Sequence, residues 1–81
     1  MRQQKIENTE MSVEVRISRR VKAIRILRGL TQKQLAEKCG YSNATICNIE
    51  SGHGDYKIST LHQIENALQC TLILIPNEDL I

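Results

Sequence analysis

At 81 residues the chain makes one small domain with a marginal core, so a disulfide, a metal or a partner chain is expected to add stability. Its three cysteines, Cys39, Cys47 and Cys70, are odd in number and widely spaced without a C-x-x-C pair, which argues against a disulfide framework and a zinc site and leaves the partner chain. The net charge of +2 is unevenly spread. Residues 1–40 hold ten Lys/Arg against four acids and residues 41–81 one Lys against five, so the basic half suits a polyanion, an acidic partner or a solvated helix face.

Residues 1–11 are polar and aperiodic and read as a flexible N-terminal tail or arm. MRQQKIENTE has no apolar stretch behind it, so it does not read as a signal peptide. The longest apolar run is the short LILI near the C-terminus, far below a membrane span of roughly 20 residues, so the expectation is a soluble cytoplasmic protein.

The first periodic segment is SVEVRISRRVKAIRILRG. Val13, Ile17, Val21 and Ile24 share one helix face and Gly29 stops the helix, although Val13, Val15 and Ile17 also alternate as in a strand. A second helix of about two turns begins at TQKQ, where Thr31 caps and Gln34 completes a capping box. Leu35, Ala36 and Cys39 form its apolar face and Gly40 ends it. A third short helix, capped by Ser42 or Asn43, turns Ile46 and Ile49 inward and stops at Ser51-Gly52. Two short helices joined through Gly40-Tyr41-Ser42 make a helix-turn-helix pattern. After the loop SGHGDYKI, a fourth helix runs from about Ser59, its N-cap, to Gln69, burying Leu61, Ile64, Ala67 and Leu68.

The period then changes. CTLILIP is β-branched, continuously apolar and closed by Pro76, so it reads as a strand. A lone strand cannot satisfy its own backbone, and the chain offers it only the doubtful Val13–Ile17 segment. The simplest partner is the same strand of a second copy across a two-fold axis, with Leu72, Ile73, Leu74 and Ile75 in the dimer interface.

Taken in order, an I-R pair in the first helix, LTQ-x-x-LA, a Gly-hydroxyl turn and T-I-x-x-I-E-S-G resemble the Cro/C1-type (Xre-family) helix-turn-helix domain over roughly residues 17–69. The resemblance implies an all-α, lambda-repressor-like fold of four helices, here with a short C-terminal β-strand that pairs across a dimer. Residues 12–69 would be the DNA-binding domain and 70–81 the dimerisation strand and tail. It also implies that the third helix reads double-stranded DNA through Asn43, Ala44, Thr45 and Asn48, and that Gln32 meets a phosphate. Asn suits adenine, while Thr and Ala suit a thymine methyl; with no Arg in this helix, A·T pairs are expected at the read positions. Arg28, Lys33, Ser42, His53 and Lys57, with Tyr56 beside them, are the further phosphate candidates. The family's pairing of Arg with Glu falls here on Arg25 and Glu50, as a structural ion pair.

Many relatives continue into a fifth helix, whereas a short strand there resembles HipB-like antitoxins, which bind a HipA-type kinase toxin and repress their own operon. The implied function is a homodimeric repressor on a palindromic operator, in a bacterial or phage setting at the nucleoid, with a kinase-like toxin as a further partner. The alternatives are a phage-type or stand-alone repressor without a toxin, and an interaction module that has lost DNA binding.

Cys39 and Cys70 read as core residues, and Cys47 as a more exposed thiol with no basic neighbour in sequence. His53 and His62 match no zinc spacing, and neither a metal nor a cofactor is expected. Arg16, Arg19 and Arg20 suit solvent and an acidic partner equally. No catalytic constellation is present, so an enzyme is not expected. With only Tyr41 and Tyr56 as aromatics, neither is a base-stacking platform for single strands.

Overall fold

The computed structural model describes residues 12–72. They form four helices: α1 Val13–Leu27, α2 Gln32–Cys39, α3 Asn43–Glu50 and α4 Ile58–Leu68. Each start has a local cause. Ser12 caps α1 by accepting from the Val15 N–H, and the α-helix runs on from Val13, so the strand-like alternation at its start does not produce a strand. Thr31 and Gln34 form the reciprocal capping box at α2. Ser42, not Asn43, caps α3. The start of α4 differs from expectation: the helix begins at Ile58, and Lys57 at the N-cap supplies no side-chain bond. Asp55 Oδ1 accepts the Lys57 N–H at 3.1 Å, a bond that fixes the loop just before the helix, while Ser59 lies inside the first turn.

Gly40 takes the left-handed conformation (φ 78°) that lets the chain turn from α2 into α3. α2 packs on α3 and α4, and α1 packs on the same two helices. Between them lie Val21, Leu35, Ala36, Ile46, Ile49, Leu61, Ile64 and Leu68, all 2% exposed or less. Burying each large apolar side chain contributes about 1.5–3 kcal/mol before ordering costs. Val13, placed on the inner face by its spacing, is instead 57% exposed, because α1 reaches past the core at its N-terminal end.

The C-terminal segment holds the main correction. Leu72 is 3% exposed and belongs to the core of its own chain. Its N–H donates to Glu65 Oε2 at 2.7 Å, and Arg20 Nε donates to the Thr71 carbonyl at 3.1 Å. These polar groups are occupied within the chain, so Leu72 is not free to line a dimer interface. Ile73, Leu74 and Ile75, like the tail at 1–11, lie outside the described residues.

Candidate nucleic-acid interface

The third helix has a buried side and an open side. Ile46 and Ile49 are fully buried against the other helices. Asn43, Ala44 and Asn48 are exposed, and Thr45 and Cys47 are half-buried. The Thr45 hydroxyl lies 2.9 Å from Ser42 Oγ, which also accepts the Thr45 N–H, so Thr45 belongs partly to the cap of α3. Beyond it, Thr45, Asn48, His53, Gly54 and Asp55 line an open cleft of about 360 Å³.

A buried polar network holds this helix in place. Arg25 Nε donates to Glu50 Oε2 at 2.6 Å and Arg25 Nη2 donates to Glu50 Oε1 at 3.1 Å, the two-pronged geometry of a guanidinium on a carboxylate. Arg25 Nη1 also donates to the Leu30 carbonyl at 2.7 Å. The side chains are 10% and 3% exposed. Gln32 Nε2 adds a third donor to Glu50 Oε1 at 3.0 Å, and Gln32 Oε1 accepts from the Cys47 thiol at 2.9 Å. Four side chains thus join the end of α1, the start of α2 and the last turns of α3. Among the described residues no buried side-chain nitrogen or oxygen lacks a partner.

The phosphate candidates separate into groups. Lys33 and Ser42 are exposed near the starts of α2 and α3. His53 is exposed after α3, its Nδ1 3.4 Å from Ser51 Oγ. Lys57 Nζ stands 3.7 Å from Asp55 Oδ2 in a solvent-facing pair worth little. Arg28 lies elsewhere: its Nε donates to the Leu68 carbonyl at 2.7 Å and its Nη2 to the Gln69 carbonyl at 3.0 Å. It therefore satisfies the open carbonyls at the C-terminal end of α4, where a cation is also favoured by the helix dipole. The nearness of Arg28 to α2 in sequence did not reveal that pull.

Three further residues have structural roles that the sequence did not show, Tyr56 having stood there only as a phosphate candidate. Tyr56 donates its hydroxyl to the Ile49 carbonyl at 2.8 Å, tying the loop to the end of α3. A half-buried tyrosine needs such a partner, and that was the available signal. Gly54 presses so close to α3 that a methyl there would fall 2.5 Å from Ile49 Cγ1 and 2.7 Å from its Cα. Ser18, 4% exposed, donates to the Val15 carbonyl at 2.7 Å and so enters the apolar side of α1 without an unmet group.

Burial pushes the Cys39 thiol above its ordinary range. Cys70 is raised first by burial and then by the Glu65 carboxylate, against opposing pulls from Arg20 and Arg28. All three cysteines are free thiols. The described residues contain no cluster of three or more His, Cys, Asp or Glu able to hold a metal ion. No described helix is long and apolar enough to cross a membrane.

A helix-turn-helix family model matches residues 21–75, so the chain belongs to the helix-turn-helix family of Cro/C1 (Xre) type. An immunity repressor of Bacillus phage phi105 is 38% identical over 63 residues, covering 78% of this chain. The chain spans only 44% of that repressor's length. The restriction-modification controller protein C.Esp1396I, solved as a tetramer on its natural 35 base-pair operator, superposes with TM-score 0.70 at 29% identity, covering 76% of this chain and 82% of that one. A chain of the HipA-HipB-O2-O3 complex superposes with TM-score 0.67 at 27% identity, covering 83% of this chain and 94% of that one.

Proposed function

We propose that this chain is a sequence-specific, double-stranded DNA-binding repressor of transcription. The observation that carries the reading is the two-sided α3, with Ile46 and Ile49 sealed inside while Asn43, Ala44 and Asn48 stand in solvent. The outer side enters the major groove, where Asn43 and Asn48 suit adenine edges and Ala44 and the Thr45 methyl suit thymine. Gln32, Lys33, Ser42, His53 and Lys57 meet the phosphates alongside. Arg28 is left out of that set, since its guanidinium closes α4. Two copies would place their reading helices about 34 Å apart on a palindromic operator. C.Esp1396I, assembled as a tetramer on its operator, supports DNA binding together with self-association.

The test is fluorescence anisotropy with a duplex spanning the region upstream of the protein's own gene, against a random duplex of equal length. The expected result is preference for the first, steep weakening with salt, and a narrowed preference in N48A. Equal affinity for both duplexes would sink the sequence-reading proposal.

A second reading assigns the chain to a toxin-antitoxin pair, as the autoregulating partner of a HipA-type kinase. What supports it is likeness of fold: a chain of the HipA-HipB-O2-O3 complex superposes over 83% of this chain with TM-score 0.67 at 27% identity. Co-expression with a kinase-like protein encoded next to it should yield a stable complex; the absence of such a neighbour leaves the stand-alone repressor.

A further inference from the structure

Gln32 is the first residue of α2, and both ends of its carboxamide are held. Oε1 accepts from the Cys47 thiol at 2.9 Å, and Nε2 donates to Glu50 Oε1 at 3.0 Å. Only this orientation satisfies both neighbours, because turning the amide over would set its oxygen against the Glu50 carboxylate. The amide nitrogen carries two hydrogens and Glu50 takes one. Glu50 cannot turn away, since Arg25 grips it with two N–H groups. The thiol on the recognition helix is therefore the second of two fingers that set the direction of the remaining N–H.

We infer that Cys47 is a positioning residue, which pre-orients the Gln32 amide toward a backbone phosphate and so couples the seating of α3 to the phosphate grip at the start of α2. This rests on the DNA-binding reading above. Cys47 lies one residue before Asn48 and three after Ala44, so a change at the reading surface reaches Gln32 through a single hydrogen bond. Because a phosphate contact carries no base information, the effect of Cys47 falls equally on any duplex sequence.

The experiment uses the full chain with two readouts. In the free protein, NMR of the Gln32 side-chain NH2 pair should show that C47A moves the two proton signals toward the positions of a solvent-exposed carboxamide, while C47S, which keeps a donor, leaves them in place. In anisotropy titrations with the upstream duplex and with a random 30 base-pair duplex at low salt, C47A should weaken both by about three- to tenfold, the worth of one modest hydrogen bond. C47S should restore binding, and C47A combined with Q32A should bind no worse than Q32A alone. If C47A melts early, Cys47→Val, which fills the space without a donor, replaces it. Wild-type-like affinity in C47A, or independent penalties for the two positions, overturns the inference alone. A wild-type chain that binds neither duplex overturns the DNA-binding reading instead.

Discussion

Glu50→Ala is the substitution whose cost the structure defines most closely. It removes three hydrogen bonds at once, two from Arg25 and one from Gln32. Arg25 stays charged, its side chain 10% exposed, with the Leu30 carbonyl as its remaining bonded acceptor. Leaving one member of a buried pair uncompensated costs about 3–5 kcal/mol. The 61 described residues amount to about 3–9 kcal/mol in total, so between a third and all of the stability is at stake. At about 4–8 °C per kcal/mol the midpoint should fall by at least about 12 °C, read by circular dichroism at 222 nm during heating and in urea. A paired replacement, Arg25→Met with Glu50→Leu, removes both charges and should recover most of the loss, since the damage lies in the orphaned guanidinium. An E50A variant melting within about 3 °C of wild type, or a paired variant no better than E50A, would refute this account.

Four other outcomes rest on separate features of the structure. Arg28→Gln should lower stability by about 1–2 kcal/mol through the lost bonds to the end of α4 while leaving the salt dependence of DNA binding unchanged; Lys33→Gln should do the reverse, costing within about 0.5 kcal/mol of stability but lowering the log-log salt slope by about one. Gly54→Ala should cost about 1–3 kcal/mol, measured by urea unfolding, because its methyl meets the backbone of Ile49. For the thiols the sign is fixed by their raised native pKa values. Above about pH 8.5 the unfolded chain releases protons that native Cys39 and Cys70 still hold, so their contribution to stability is level below that pH and declines above it. Replacing both with Ala should flatten that decline in urea midpoints taken from pH 7 to 10.

The parts of this fold legible in the sequence are those decided within one or two helical turns. Thr31 with Gln34, and Ser42, bond to backbone groups three residues away, so the starts of α2 and α3 were legible from neighbours in the chain; Ser12 caps α1 by the same local means, although the alternation of Val13, Val15 and Ile17 had left a strand open there. The inward side of α3 was legible for the same reason, since Ile46 and Ile49 sit three apart. Legibility fails where the deciding partner is distant. Arg28 stands beside α2 in sequence, yet the carbonyls that claim it belong to Leu68 and Gln69. Leu72 looks like part of an apolar strand, but the core has a place for it, and Arg20 and Glu65 hold the backbone at 71–72.

The same division explains how the basic half of the chain is used. Ten cations crowd residues 1–40, but their charge does not form a uniform surface for a polyanion. Arg25 is spent on Glu50, and Arg28 and Arg20 on carbonyls at and beyond the end of α4. Arg16, Arg19 and Lys22 on α1 and Lys33 and Lys38 on α2 stay exposed among the described residues. Each committed arginine joins α1 to an element far along the chain, and Arg25 does so at the end of the helix that bears Asn43 and Asn48. The end of α3 is anchored to α1 because part of the basic charge that composition alone would offer to a polyanion holds the fold together.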